Sequence, residues 1–307
     1  MTKKQFKELQ KLIRTIQSEA ERQIAQEYLD AIRAIKLELS DIFEAHGENG
    51  VVKREVMEKY GRMKKLENKL AQHVALLTNS QIKHTKKAIQ EVYKQSFYYR
   101  GYVIETLAGF SIFRLINKKV IDEIIYNEMD LIKWDTRTKE NNNLLIRQLK
   151  EVIMSGLAQG HGYGKMAKAL TEKMDISRNK AIKIVQTETH RSNQQGNLKS
   201  MEQAVSKGCI MKKRWISSLD SKTRKSHQHL DGQTVEVDEP FVSRGGRKAM
   251  SPGKFGVAEE DINCRCDMIS VFDGLEPKVR KARNPFTGKN EYIKYQTFNE
   301  WQKNLVA

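Results

Sequence analysis

A chain of 307 residues that is 39% hydrophobic and 30% charged can bury a core, but only a thin one. Its net charge of +17 favours a polyanionic neighbour such as nucleic acid, although a solvated, lysine-rich surface would also account for it. Three cysteines exclude a disulfide scaffold and indicate a reduced setting. We expect a soluble protein, because the sequence shows neither an apolar secretion signal nor the roughly 18 apolar residues of a membrane span.

The N-terminal part of the sequence has the period of long helices. Apolar residues recur at steps of three and four over 3–44 without proline or glycine, which predicts one long amphipathic helix. Its narrow apolar face would pack in a bundle or against another copy. A turn is predicted at 47–50, then a helix over 52–77 and a further helix capped by Asn79 and Ser80.

The stretch 97–134 is the most hydrophobic part of the chain and contains aromatic residues, Phe110 among them, near Arg100 and Arg114. Aromatic and arginine side chains there could stack on bases, or they could form a packed junction between helices. We expect Gly101 and Gly109 to break the helix on either side of a short element.

Further helices are predicted before the sequence changes character. A polar hinge is expected at 136–143, followed by helices over 144–157 and 165–174. A last helix should begin at Arg178, with Ser177 as its N-cap.

After Gly208 the spacing of apolar residues changes from the period of a helix to the alternation of a strand. Strands are predicted at 213–217, 234–237 and 268–272, with a mobile loop at 243–256. The expected fold is therefore mainly α-helical, with long N-terminal helices and a small α+β C-terminal module. The predicted regions are a long-helix N-terminal region at 1–140, a helical region at 141–205, the α+β motif module at 206–272 and a C-terminal tail at 273–307.

Two kinds of metal site are conceivable in the motif module. His227, His229, Cys264 and Cys266 could form a two-histidine, two-cysteine zinc site. The single residue between the cysteines counts against zinc, since two to four residues usually separate such ligands. Alternatively, His227 with Asp231 and Asn263 could hold the metal of a nuclease, although the spacing of histidine-asparagine-histidine nucleases is not reproduced.

A structural interpretation of the same residues needs no metal. Asp220 and Thr223 can fix a tight turn by bonding to local backbone amides, and Arg224 is close enough in sequence to pair with Asp220. His227 would satisfy a carbonyl or carboxylate, and Asn263 would cap the loop before the cysteines. This interpretation predicts no catalytic residue and no cofactor, with structural zinc left as the alternative.

The ordered motif resembles that of the phage head-morphogenesis, or minor head protein, family that is named after the F protein of phage Mu. A helical segment of the family is similar to Thr187 and Glu188 followed by Arg191, where Glu188 and Arg191 are spaced to pair on one helix face. The C-terminal motif is carried by Trp215, Asp220, Thr223, Arg224, His227, Gly232, Asn263, Cys264, Arg265 and Cys266. His229 and Cys209 do not belong to that motif.

The resemblance implies a minor head (capsid) protein of a tailed bacteriophage that acts in head morphogenesis. Its location would be the virion, inside the capsid or at the portal vertex, and the host cytoplasm during assembly. The implied partners are the portal protein, non-specifically bound double-stranded DNA, and other head or scaffolding proteins, with self-association also open. Some relatives carry toxin domains, but the roughly 40 residues after the motif are too few for one, so we expect no enzyme. The alternatives are an ejection protein delivered with the genome and a metal-dependent nuclease.

Overall fold

The computed structural model describes residues 3–109, 115–116, 118–125, 128–272 and 277–306. These residues are mainly helical with short antiparallel strands near the C-terminus, which confirms the predicted fold class. Phe110 and Arg114 lie outside the described residues. Among the described helices, none has the length and apolar character needed to cross a membrane.

Long helices occupy most of the chain before residue 206, and short elements follow. The helices are α1 (Lys3–His46), α2 (Arg54–Glu58), a 3-10 turn (Lys59–Gly61), α3 (Arg62–Ala108), α4 (Lys118–Ile125), α5 (Trp134–Ala158), α6 (Tyr163–Val205), α7 (Lys225–Leu230), α8 (Ala258–Asp261) and α9 (Phe298–Val306). The strands are β1 (Lys212–Ile216), β2 (Thr234–Glu236), β3 (Phe241–Val242), β4 (Lys248–Ala249), β5 (Asp267–Val271), β6 (Val279–Arg283) and β7 (Asn290–Lys294).

The described chain divides into two compact units. The mixed unit comprises the described residues within 1–16, 89–131 and 186–307, and the helical unit comprises 17–88 and 132–185. Helices α1, α3 and α6 each contribute one part to each unit.

The core of the helical unit is built from the apolar stripes that the sequence predicts. On α1, Ile24, Tyr28, Ile35 and Leu39 are buried at helical spacing. The other helices of this unit bury Leu66, Leu70, Val74, Leu77, Leu145, Leu149, Ile153, Met166, Leu170 and Met174. The prediction of one long amphipathic N-terminal helix is confirmed.

Four predicted helix breaks are wrong, because the helices run through them. Helix α3 continues past Asn79 and Ser80, α5 already begins at Trp134 and covers 136–143, and α6 continues past Ser177. Helix α3 also continues through Gly101 and ends at Ala108, before Gly109 with its φ of 78°.

Lateral hydrogen bonds explain why these polar residues do not end their helices. The Tyr28 hydroxyl lies 2.9 Å from Ser177 Oγ, and Asn141 Nδ2 donates to the same Ser177 oxygen at 2.8 Å. Asn142 Nδ2 donates to Thr78 Oγ1 at 2.8 Å. Their side chains bond to other helices instead of capping their own, so the buried polar groups are satisfied inside the core.

In the mixed unit, the later halves of α3 and α6 approach each other closely. A Cβ atom at Gly196 would lie 2.6 Å from the Tyr93 carbonyl oxygen, so only glycine fits there. Ser192 Oγ donates to the Ile89 carbonyl at 2.7 Å, and Ser96 Oγ donates to the Asn193 carbonyl at 2.7 Å. This contact places the helical motif residues of α6 beside the motif module, which belongs to the same unit.

The motif module is organised around a three-stranded antiparallel sheet in the order β2-β1-β5. These strands confirm the three predicted ones to within two residues. Opposite Met268 on β5 lies Trp215 on β1, and both side chains are buried with Phe241 and Leu230. Residues of α3 and α6, including Ile104 and Met201, close the same core.

The predicted mobile loop at 243–256 is largely built into the fold. Strand β4 within it pairs with β3, and Ser251 and Gly253 are buried. Gly253 adopts a φ of 76° and its carbonyl accepts a bond from Arg191, whose Cγ would lie 3.0 Å from an added Cβ. The small residues that suggest mobility in the sequence are packed here, and Gly253 in particular allows Arg191 to lie close to the backbone.

The predicted C-terminal tail contains the β6-β7 hairpin and α9. Ala282, Phe298 and Trp301 pack with Leu219 of the motif module. Arg283 N donates to the Leu219 carbonyl at 3.0 Å, which adds a backbone link. The described part of this segment is therefore folded against the module.

Candidate functional site

The centre of the motif is a buried group of three side chains, His227, Cys264 and Cys266, which we call the thiol–imidazole cluster. His227 Nδ1 lies 3.3 Å from Cys266 Sγ and 3.8 Å from Cys264 Sγ. The three side chains are only 2%, 5% and 2% exposed. Helix α7 supplies the histidine, and the loop before β5 supplies both cysteines.

The other imidazole nitrogen faces a carboxylate. His227 Nε2 lies 3.0 Å from Glu260 Oε2, and Ser226 Oγ donates to that same oxygen at 2.9 Å. Glu260 is itself buried at the end of α8. Sequence reasoning missed Glu260, although the acidic run Glu259–Asp261 shortly before the cysteines was a visible signal.

Mutual contacts within the cluster shift the pKa values of its members. Burial alone would raise the pKa of Cys266, but hydrogen bonds with Cys264 and His227 outweigh burial and hold it well below its usual value. Burial alone would lower the pKa of His227, but its contact with Cys266 outweighs burial and raises it. The hydrogen bond with Cys266, together with burial, raises the pKa of Cys264. These contacts favour the charged forms of Cys266 and His227, whereas those of Cys264 favour its neutral thiol.

A tight turn precedes the cluster, but its ion pair differs from the predicted one. Asp220 Oδ1 accepts bonds from Lys222 N at 2.9 Å and from Thr223 Oγ1 at 3.2 Å, which confirms the local turn. The arginine paired with Asp220 is Arg265, whose Nη2 donates to Oδ1 at 2.8 Å. Burial would raise the pKa of Asp220, but Arg265 outweighs it and lowers that pKa.

Arg224 instead holds the loop that carries the cysteines. Its Nη1 donates to the Glu260 carbonyl at 3.2 Å and its Nη2 to the Ile262 carbonyl at 2.5 Å. The prediction of an Asp220–Arg224 pair is wrong, because the guanidinium reaches across to this backbone. Asn263, where a cap was expected, adopts a φ of 58° in the turn before Cys264, a conformation that asparagine tolerates well.

Trp215 and Gly232 form the side of the site next to the sheet. The indole of Trp215 contacts the His227 ring edge to face, with centroids 5.8 Å apart, and its Nε1 donates to Ser217 Oγ at 3.1 Å. Ser217 Oγ donates to the His227 carbonyl at 2.5 Å and lies 3.6 Å from Cys266 Sγ. Gly232 N donates to the Trp215 carbonyl at 2.9 Å, which fixes the turn before β2.

The helical motif forms a second buried centre on α6. Arg191 Nη1 pairs with Glu188 Oε2 at 3.0 Å, as the spacing predicts, and both side chains are almost fully buried. Arg191 also donates to the carbonyls of Gly253 at 2.9 Å and Glu128 at 2.8 Å. Thr187 is buried on the same helix. These bonds connect α6 to the segment before α8 within the mixed unit.

The residues considered for a nuclease centre are not assembled into one. Both carboxylate oxygens of Asp231 bind Arg280, at 2.5 and 2.7 Å, and also accept bonds from the backbone amides of Ser217 and Phe298, each at 2.6 Å. His229 is exposed on α7 and lies outside the thiol–imidazole cluster. Sequence reasoning missed Arg280, because the partner lies beyond the recognised motif.

Comparison with known proteins connects this site to phage heads. The family model "Phage Mu protein F like protein" matches residues 147–269. The "Minor head protein GP7" of Bacillus phage SPP1 is 30% identical over 301 residues, which cover 98% of this chain and 97% of that protein.

Two partial matches were also found. A protein of Enterococcus faecalis named "NAD(+)--arginine ADP-ribosyltransferase EFV" is 31% identical over 214 residues, which are 69% of this chain and 43% of that protein. An uncharacterized protein of Haemophilus influenzae is 35% identical over 92 residues, which are 30% of this chain and 17% of that protein. No solved structure matches the chain significantly. The end-to-end similarity to a minor head protein, together with the matched motif, shows that this chain belongs to the phage Mu F-like family of minor head proteins.

Proposed function

We propose that this minor head protein is part of the virion, inside the capsid or at the portal vertex, and contacts the portal protein and the packaged double-stranded DNA. The observation that carries the proposal is the similarity to the SPP1 minor head protein, which extends over nearly the whole of both chains. Contacts with other head or scaffolding proteins during assembly belong to the same proposal.

The charge of the chain supports the DNA contact. The net charge of +17 is the excess of 55 basic over 38 acidic residues, and the basic residues are spread along the sequence with no separate basic arm. Such a distribution favours electrostatic binding to phosphates without recognition of base sequence. A capsid filled with DNA is an environment in which this kind of binding operates.

We further propose that the chain has no enzymatic activity of its own. More than half of the relative named as an ADP-ribosyltransferase lies outside the matched region. In this chain, Asp220, Asp231 and Glu188 are all engaged by arginine side chains. The buried thiol–imidazole cluster also gives a phosphodiester no access, which argues against the nuclease alternative.

A mobility-shift assay with the full chain tests the DNA contact. We expect binding to duplex DNA that increases with duplex length and is equal for two unrelated sequences of the same length. Affinity should fall by at least about tenfold between 50 mM and 200 mM salt, because each neutralised phosphate releases counterions. No binding at 50 mM salt, or binding that salt does not weaken, would contradict this part of the proposal.

A further inference from the structure

We propose that His227, Cys264 and Cys266 bind one zinc ion, through the imidazole Nδ1 and two cysteine sulfurs. The proposed site is a structural metal site in the motif module and is independent of the portal and DNA contacts. It differs from the four-ligand scheme based on the sequence, because His229 is exposed and does not take part.

The distances within the cluster fit tetrahedral zinc. Zinc–sulfur and zinc–nitrogen bonds of about 2.3 Å and about 2.0 Å at a tetrahedral angle place nitrogen and sulfur roughly 3.5 Å apart. The two nitrogen–sulfur distances, 3.3 Å to Cys266 and 3.8 Å to Cys264, lie on either side of this value. All three ligand atoms lie within 4.8 Å of one another.

The backbone explains how two cysteines with one residue between them can share an ion. Residues i and i+2 of an extended segment point to the same side. Cys264 and Cys266 have this spacing, between the turn at Asn263 and the first residue of β5, and both sulfurs face the His227 Nδ1 atom. Arg265, the residue between the two cysteines, forms an ion pair with Asp220 instead of facing the cluster.

The surroundings of His227 are those of a metal-bound histidine. A zinc-ligating imidazole commonly donates its second N–H to a carboxylate, which fixes the ring orientation. Glu260 Oε2 lies 3.0 Å from His227 Nε2, within reach of such a bond, and Ser226 Oγ donates to the same carboxylate oxygen. The ligand set of one imidazole and two sulfurs is the kind that zinc prefers, and it leaves one tetrahedral position for a water or a further group.

Burial strengthens the case for a metal. The His227 ring contacts Trp215 and Phe255, and both cysteines belong to the same buried core. A small module with a thin core gains stability when a metal holds its segments together. Zinc would join α7 to the loop before β5, two segments that are 37 residues apart between His227 and Cys264.

Metal analysis of the purified wild-type chain tests the proposal without any variant. The full chain, prepared under reducing conditions without chelators, should contain about one zinc ion, and replacement by Co²⁺ should give the sulfur-to-cobalt absorption of thiolate ligation. Removal of zinc with a chelator should lower the melting temperature, and added zinc should restore it. Wild-type protein that is folded without zinc, takes up no Co²⁺ and melts identically with and without added zinc would overturn the proposal.

Matched variants assign the ligands. Cys264→Ser, Cys266→Ser and His227→Ala should each lose zinc or bind it at least about tenfold more weakly. The controls are Cys209→Ser, which changes a buried cysteine outside the cluster, and His229→Ala on the same helix as His227. Both should keep the zinc. Zinc that is lost from the controls and retained in the three ligand variants would contradict the assignment.

Discussion

Replacing Asp231 with alanine should lower the free energy of unfolding by about 3–5 kcal/mol, because it leaves the buried Arg280 guanidinium without its carboxylate. The side chains of Arg280 and Asp231 are 4% and 1% exposed, and Arg280 binds both carboxylate oxygens. Two backbone amides, those of Ser217 and Phe298, lose their acceptor as well. Denaturant unfolding of the full chain, followed by circular dichroism and tryptophan fluorescence, measures this loss.

Two variants separate the ion pair from a general effect of substitution. Asp238→Ala, an exposed aspartate in the same module, should change stability by no more than about 0.5 kcal/mol. Adding Arg280→Met to Asp231→Ala should recover part of the loss, because no buried charge is then left unpaired. If Asp231→Ala unfolds like Asp238→Ala, Asp231 does not hold the C-terminal hairpin and α9 against the module.

The second large effect is expected at the helical motif. Glu188→Ala should lower the free energy of unfolding by about 3 kcal/mol or more, because the buried Arg191 would lose the Glu188 carboxylate. Arg191 would keep its bonds to the backbone carbonyls of Gly253 and Glu128. Glu188→Gln preserves an acceptor oxygen and should cost less than alanine. Urea unfolding monitored by far-ultraviolet circular dichroism gives both values.

The matched control for this series lies on the same helix. Glu172 on α6 is exposed, so Glu172→Ala should leave the unfolding midpoint nearly unchanged. Equal midpoints for Glu188→Ala and Glu172→Ala would show that the buried Glu188–Arg191 pair contributes nothing to stability. That result would contradict the structural role that we assign to this pair.

Much of the fold was predictable because the spacing of apolar residues can be read from the local sequence. The stripe of α1 and the strands around Trp215 follow from spacing alone, and both are found in the structure. Helix ends were less predictable. Asn142 and Ser177 have the composition of caps and hinges, but the bonds that they make reach residues 64 and 149 positions away in sequence. A local pattern carries no information on such partners.

In the site, too, the residues could be predicted from the sequence but their partners could not. The motif residues recognised in the sequence do converge, but their pairing is non-local. Asp220 lies three or four residues from Thr223 and Arg224, yet its arginine partner is 45 residues away. Glu260 and Arg280 fall outside the motif and were missed for this reason. The sequence therefore identifies the members of a buried polar network more readily than their partners.

The central claim is that this minor head protein is part of the virion. The direct measurement is quantitative mass spectrometry of purified virions of the phage that encodes it, before and after triggered DNA release. We expect the chain in virions at a small fraction of the major capsid protein, and we expect it to remain with the emptied, portal-containing heads. Its departure with the DNA would favour the ejection alternative over a position at the portal. Absence of the chain from intact virions would contradict the central claim.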